Sequence, residues 1–379
     1  MKSQSLVRET LRQRLNVELF SGFLPNALEP LPEPVYFIFK CGPEFRDVFE
    51  NREDPPPVEE VFPRFLGDTT ATWLLQTFIQ LKRRGLNVHL VDRLIPDRIC
   101  VSGIWQVGKR SLLGRSYNVV VQADCCRPPV ADHIVAQNPT GVLTDHDHLI
   151  YHWPQPGLIA RKPDRGDRIE NVIYRGTMNN LWEPLQAPEF TQRLASLGVQ
   201  FICDNKDSQD NRDRYRLWKD YSNADLVLAM RDLTVYDERI KPATKLANAW
   251  ISGVPAILGP ESAYQDLRTD DLDFVEARTC DDVINAVRLL KENPLLYQAM
   301  RERAARRSPG FTTDAVAKLW RDTLAGSVTD GYRKWSRGSS AMRFMKAAVR
   351  HPLVCLSYRR ALNRYLVERS QGPRILSES

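Results

Sequence analysis

Lys241, Thr244, Lys245, Asn248 and Ser252 recur at three- and four-residue spacings in the run Lys241-Pro242-Ala243-Thr244-Lys245-Leu246-Ala247-Asn248-Ala249-Trp250-Ile251-Ser252-Gly253-Val254-Pro255-Ala256-Ile257. A helix turns about 100° per residue, so these five share one arc about 100° wide. Ala243, Leu246, Ala247 and Trp250 fall on the other side. One face packs; the other carries cations and hydrogen-bonding groups. Pro242 suits a first helical position, where a missing N–H costs nothing. Open backbone N–H groups there, joined by a hydroxyl and two ammonium groups, make a site for phosphate. The same residues also suit a solvated helix face. Gly253-Val254-Pro255 then turns into a strand expected at Val254–Leu258.

Three further groups could do chemistry. Arg175-Gly176-Thr177 directly follows the apolar stretch Val172–Tyr174. Ligands of open α/β sheets bind at the carboxyl ends of strands. A glycine there lets backbone approach a phosphate, and an arginine adds a charge-assisted fork. An arginine that merely caps its strand is the alternative. Gly67-Asp68-Thr69-Thr70 precedes a helix expected from Ala71. Either threonine can cap that helix, and such a loop can also face a cleft. Asp145-His146-Asp147-His148, with His152 close behind, gathers histidines: four of the six in the chain lie between positions 133 and 152. A His–Asp pair can act as a general base toward a hydroxyl. Alternating histidines can also bind a metal, and a polar loop at a domain junction would have the same composition. Asp124 is a further candidate base. Its neighbour Cys125 has no assignable partner for nucleophilic chemistry.

The elements that must position these groups read as two units. Residues 1–30 read as one amphipathic helix with a proline-rich exit. Short apolar strands are expected at Val35–Phe39, Val88–Val91, Ile99–Val101, Val119–Gln122 and His133–Ala136, with another at Val142–Leu143. Residues 149–169 are broken by Pro and Gly and look like a linker. A second alternation follows: strand Val172–Tyr174, helix Glu189–Leu197, strand Val199–Cys203, helix Arg214–Ser222 and strand Asp225–Met230. Short strands alternating with helices indicate α/β units with parallel sheets. The expected division is residues 1–160, residues 161–330 and a basic helical tail at 331–379.

Composition narrows the class. A chain of 379 residues is too long for one ordinary core. Hydrophobic content of 42% and charged content of 26% suit a soluble globular protein. No apolar run approaches the ~20 residues needed to span a bilayer, and the first twenty residues lack the uninterrupted apolar core of a secretory signal. Seven scattered cysteines, with no CxxC pair, suit a reducing cytoplasmic compartment and argue against a structural zinc site. The net charge of +6 is unevenly spread. Residues 331–379 hold eleven Lys/Arg against two Glu, a net of +9, so the rest sums to −3. The body therefore offers no electrostatic case for nucleic acid. In the tail, Met342, Met345 and Val349 line one face beside Arg343, Lys346 and Arg350. Leu353, Leu356, Leu362 and Leu366 mark a second helix among Arg359, Arg360 and Arg364, with a break expected at Pro352. These helices suit folding back on the first unit and equally docking on an anionic membrane.

The run KPATKLANAWISGVPAI resembles the segment of GT-B glycosyltransferases in which a helix grips the donor's diphosphate and ribose before Gly-x-Pro and a strand. The closing stretch TCDDVINAVRLLKENPLLYQAMRERAARRSPGFTTDAVAKLW agrees in order. The resemblance covers residues 170–322 and over residues 1–150 is architectural. It implies an α/β fold of two Rossmann-like domains facing a cleft, and transfer of a sugar from a nucleoside-diphosphate-sugar to a hydroxyl acceptor in polysaccharide or glycolipid assembly. It implies that Arg175, Gly176, Lys241, Thr244, Lys245 and Asn248 hold the donor. Where the family adds a lysine after the arginine, this chain has Asn179-Asn180, so Lys241 and Lys245 would carry more of the charge. Retaining members pair two glutamates eight residues apart; Ile240 and Asn248 stand in those places. Asn248 can still hydrogen-bond a ribose hydroxyl, and Asp237 or Glu238 is the nearest substitute for the lost carboxylate. Asp68, Asp145 and His146 are the expected catalytic residues on the acceptor side. No Asp-x-Asp motif lies within the donor segment, Asp271-Leu272-Asp273 sitting beside the expected closing strand, so no metal or other cofactor is expected besides the donor itself. Expected partners are the nucleotide sugar, a glycan or lipid-linked acceptor, and an anionic membrane surface through residues 339–369. A nucleotide-sugar epimerase or hydrolase of the same fold, and a non-catalytic membrane-surface adaptor, are the alternatives.

Overall fold

Runs of buried β-branched residues assemble into two parallel sheets. A computed structural model describes residues 26–40, 42–104, 115–203 and 210–376, without the side chains of Lys346, Arg350 and Val354. The first sheet is built from β1 (Val35–Ile38), β2 (Val88–Val91), β3 (Ile99–Gly103), β4 (Tyr117–Val121), β5 (His133–Ala136) and β6 (Asp147–Leu149). Its spatial order is β2-β1-β3-β4-β5-β6, with every pairing parallel. The second sheet contains β7 (Asn171–Ile173), β8 (Gln200–Ile202), β9 (Leu226–Ala229), β10 (Ala256–Leu258) and β11 (Val275–Glu276). Its order is β11-β10-β9-β7-β8, again all parallel. Each residue of β4, β5, β9 and β10 is buried, as strands covered on both faces require.

In the first domain, α1 (Gln76–Lys82) is entered through a wide turn at Ala71–Leu75. In the second, α2 (Pro188–Ser196), α3 (Asn211–Lys219) and α4 (Thr244–Ser252) precede the closing pair α5 (Cys280–Glu292) and α6 (Pro294–Arg307). The helix α4 ends where the sequence placed its stop: Gly253 adopts the left-handed conformation (φ 68°) and its N–H bonds Trp250.

Three expectations change. The segment up to residue 330 was expected in the second unit. Instead α7 (Thr313–Thr323) and the turn after it pack into the first core: Trp320, Leu324 and Val328 are fully buried beside Phe37, Phe78 and Tyr117. The second sheet's outer layer is already filled by α5 and α6, whereas the apolar face of α1 needs a cover. The tail is not two helices. After α8 (Thr329–Ser336), one helix, α9 (Ser340–Gln371), runs through Pro352. A proline inside a helix costs about 3 kcal/mol. Both halves are nevertheless anchored, by Arg343 on Asp97 and Trp335 and by Tyr365 in an apolar cluster. The strand expected at Val142–Leu143 is an exposed loop, and the edge strand is β6. The amphipathic helix expected over residues 1–30 lies mainly outside the described residues; 26–30 are irregular.

Candidate anion-binding cleft at the carboxyl edges

The carboxyl ends of β7, β9 and β10 converge on the start of α4. Just beyond β7, Arg175 turns its guanidinium back onto the Asp220 carbonyl (Nη2–O 2.8 Å). Lys245, in the first turn of α4, reaches across and donates to the Arg175 carbonyl. Its ammonium also lies 4.8 Å from the centre of the Tyr174 ring. Gly176 makes this possible: a Cβ at that position would meet the Lys245 Nζ at 2.6 Å. Lys245 therefore points inward.

A second cation stands beside it. Arg231, just past β9, is buried and paired through Nε with Glu261 Oε1 at 2.9 Å. Glu261 follows β10 and is fully buried. The Arg231 guanidinium lies 5.7 Å from the Tyr264 ring centre. Burial and the nearby Arg231 together push the Lys245 amine down to about 7. Among the described residues no side chain caps α4. Among the described residues, the buried Thr244 Oγ1 and Tyr264 hydroxyl have no hydrogen-bond partner. Arg175, Arg231, Lys245, an uncapped helix start and unmet hydroxyls thus share one sheet edge, and anions bind such places.

Lys241 is spent elsewhere. Buried, it bridges the two domains to Asp124, which follows β4, at 2.8 Å. Burial alone would raise the Asp124 carboxyl, but Lys241 holds it below its usual range. The loop after β5 clamps the same segment: Gln137 donates to the Ile240 carbonyl (2.8 Å), and Asn138 to the Glu238 and Lys241 carbonyls (both 3.0 Å). Ile240 packs among Ile104, Val120, Cys125, Cys126 and Tyr365, which accounts for an apolar residue there. The nearest carboxylates are occupied too: Asp237 lies 3.5 Å from Arg369, and Glu238 accepts the Ser262 N–H at 2.9 Å. Asn248 is buried and accepts the Gln155 N–H at 3.0 Å, tying the interdomain segment to α4.

At the carboxyl edge of the first sheet, Asp68 rather than a threonine caps the Ala71 turn: Oδ1 accepts the N–H groups of Thr70 and Ala71 (2.8 and 3.0 Å). This loop borders Gly103 at the carboxyl end of β3. His152, past the carboxyl end of β6, sits edge-on to Trp73 (4.6 Å) and contacts the Trp153 carbonyl through Nδ1 (2.6 Å). A carbonyl can only accept, so Nδ1 carries the proton and Nε2 is left as an acceptor. Burial lowers this imidazole below its usual range, opposed in part by Asp124.

Asp145 and His146, expected on the acceptor side, are exposed and lie at the other edge of the sheet. The His146 ring is 5.1 Å from that of His133, the first residue of β5, and the His146 carbonyl accepts the Ile134 N–H. A strand of this length separates them from the carboxyl edge by about 10 Å. Asp147 accepts from Arg127 at 2.8 Å and from the Leu143 and Thr144 N–H groups, so it shapes its own loop. Sequence reasoning missed Arg231 and Glu261. Their signal was position: each lies just past a buried strand, as Arg175 does.

No protein-family profile matches the chain, and no curated protein sequence matches it. Solved structures do. Sucrose-phosphate synthase from Thermosynechococcus elongatus superposes with TM-score 0.50 at 12% identity, over 78% of this chain and 100% of that one. AviGT4, a glycosyltransferase involved in avilamycin A biosynthesis, gives 0.47 at 16%, over 81% and 99%. HepE from Anabaena, in complex with UDP and glucose, gives 0.45 at 9%, over 77% and 99%. The first likeness shows the fold, and the fold is GT-B.

Proposed function

We propose that this protein is a glycosyltransferase that moves a sugar from a nucleoside-diphosphate-sugar to a hydroxyl acceptor. The observation that carries the reading is the inward-pointing Lys245 over Tyr174, walled by Arg175 and Arg231 at the carboxyl edge of the second sheet. A diphosphate leaving group gains charge as the glycosidic bond breaks. Cations and amide dipoles held in place beforehand stabilise that change most in the transition state. Arg175, Lys245 and the start of α4 face the diphosphate, Thr244 supplies a hydroxyl, and Gly176 lets the backbone close on it. Protein cations take the place a metal ion would fill. Asn248 acts by fixing the interdomain segment rather than by touching ribose, and Lys241 by holding the two domains together. His152, whose Nε2 is the acceptor nitrogen, receives the acceptor proton; Asp68 borders the same cleft. UDP-bound relatives of the fold make a uridine donor the first to test. A glycan or lipid-linked alcohol is the acceptor class, and polysaccharide or glycolipid assembly the setting.

The test is a thermal-shift screen of the full chain against nucleoside diphosphates and their sugars. A ligand that binds only the native state raises the melting point by mass action. At least one nucleoside diphosphate-sugar should raise it in a dose-dependent way. Stabilisation by none of them would remove the donor assignment.

A further inference from the structure

The helix α9 presents two faces with different fates. Arg343 and Phe344 near its start, and Tyr358, Ala361, Leu362 and Tyr365 further along, turn toward the body. Met342, Met345, Val349, Leu353 and Leu356 lie about half a turn away, within an arc about 80° wide. These five are 49, 54, 79, 71 and 46% exposed. A run of large apolar side chains left in water on one side of a helix marks an interaction surface. Arg359, Arg360 and Arg364 are exposed just beyond its last leucine. The whole helix holds seven Lys/Arg against one Glu, and that Glu368 pairs with Arg364.

We propose that this stripe is a docking face for an anionic lipid surface, with α9 lying flat in the headgroup layer. The stripe inserts, and the arginines meet lipid phosphates. Charge selects this occupant. A second copy would set two strongly basic helices against each other, with Arg360 in line with the seam. Residues 1–25 are themselves basic, with four Lys/Arg against two Glu. The helix lies on the surface rather than crossing: no described helix is long and apolar enough to span a membrane. The inference stands apart from the transferase reading, because it uses the face of α9 turned away from the cleft. It does place the cleft near the lipid. On the body side, the Tyr365 hydroxyl donates to the Asp124 carbonyl and Arg369 reaches Asp237, beside the Lys241 bridge.

The experiment is flotation of the full chain with vesicles of phosphatidylcholine alone or with about one-third phosphatidylglycerol. The protein should float with the anionic vesicles and not with the neutral ones, and added salt should release it. The double variant V349D/L353D changes two largely exposed positions and should weaken binding at least about tenfold. R359E/R360E should weaken it by a similar factor while leaving the apolar stripe intact. Equal binding to neutral vesicles, no binding, or wild-type binding by both variants would overturn the proposal. So would a concentration-dependent dimer in sedimentation that V349D/L353D abolishes, which would assign the stripe to a second copy. Nucleotide-sugar thermal shifts in the same variants should match wild type, which keeps failure here distinct from failure of the donor site.

Discussion

Two clusters of ionisable side chains sit at opposite edges of parallel sheets, and they differ in whether their polar atoms are paired. At the carboxyl edge of the second sheet, Lys245 and Arg231 crowd together with buried hydroxyls that have no hydrogen-bond partner among the described residues. At the amino edge of the first sheet, the histidines satisfy one another. His133 Nδ1 is 2.8 Å from His148 Nε2, and the Tyr117 hydroxyl is 2.9 Å from His133 Nε2. Tyr117 in turn packs on Tyr332 and Trp335 of α8. Both clusters look alike as lists of chemistry-bearing residues. They differ in which end of the strands they occupy and in whether their polar atoms are already paired. Strand ends decide function here because helix starts and open loops gather at the carboxyl edge.

The comparison can be broken most severely at Arg231. Arg231→Ala leaves the fully buried Glu261 without its counter-charge, and denaturant unfolding should show a loss of about 3–5 kcal/mol. A loss below about 1 kcal/mol would mean the pair does not hold this wall. Lys245→Ala should lower kcat/KM by about 10²-fold or more with the fold intact, because a charged contact to a desolvated phosphate is lost. Unchanged donor affinity would take Lys245 out of the site. The same lysine sharpens the contrast through pH. Its amine is neutral above about 7 in the free protein, so a diphosphate must bring a proton with it. Donor affinity should then fall by up to about tenfold per pH unit above 7, with proton uptake visible by calorimetry in buffers of different ionisation heat.

The histidine cluster should answer to pH through stability instead. Burial, with His148 and His146 nearby, pushes His133 down to about 4. The unfolded chain therefore binds a proton more readily than the folded one. Its contribution is fully present above about 6.5 and is lost as pH falls toward 4. The loss should be on the order of 2 kcal/mol and should flatten in His133→Phe. The smallest effect belongs to His146→Ala, which should leave turnover within about twofold of wild type. A 10²-fold loss there would return catalysis to the amino edge.

Much was legible from the chain itself. Gly253 stopped α4 because only a residue tolerant of positive φ closes a helix in that way, and Lys245 fell on its cation-bearing face because helical periodicity is local. The Arg175-Gly176 turn was legible because it follows a buried strand directly. The partners of Lys241 were not. Its spacing put it with Lys245, yet Asp124, 117 positions away in the chain, draws it across the domain boundary. Ile240 read as a lost carboxylate until Cys125, Cys126 and Tyr365 showed it to be interdomain core.

Local rules thus settled that most of the strands and helices exist, which face of α4 is apolar, and that the fold is α/β. The tertiary structure alone decided which strand edge each cluster occupies, that Trp320 closes the first core, and that Pro352 is bridged by one continuous helix. The physical reason is range. Periodicity, capping and turn chemistry act over a few residues, whereas charge pairing and burial are settled between residues that only the packed chain brings together.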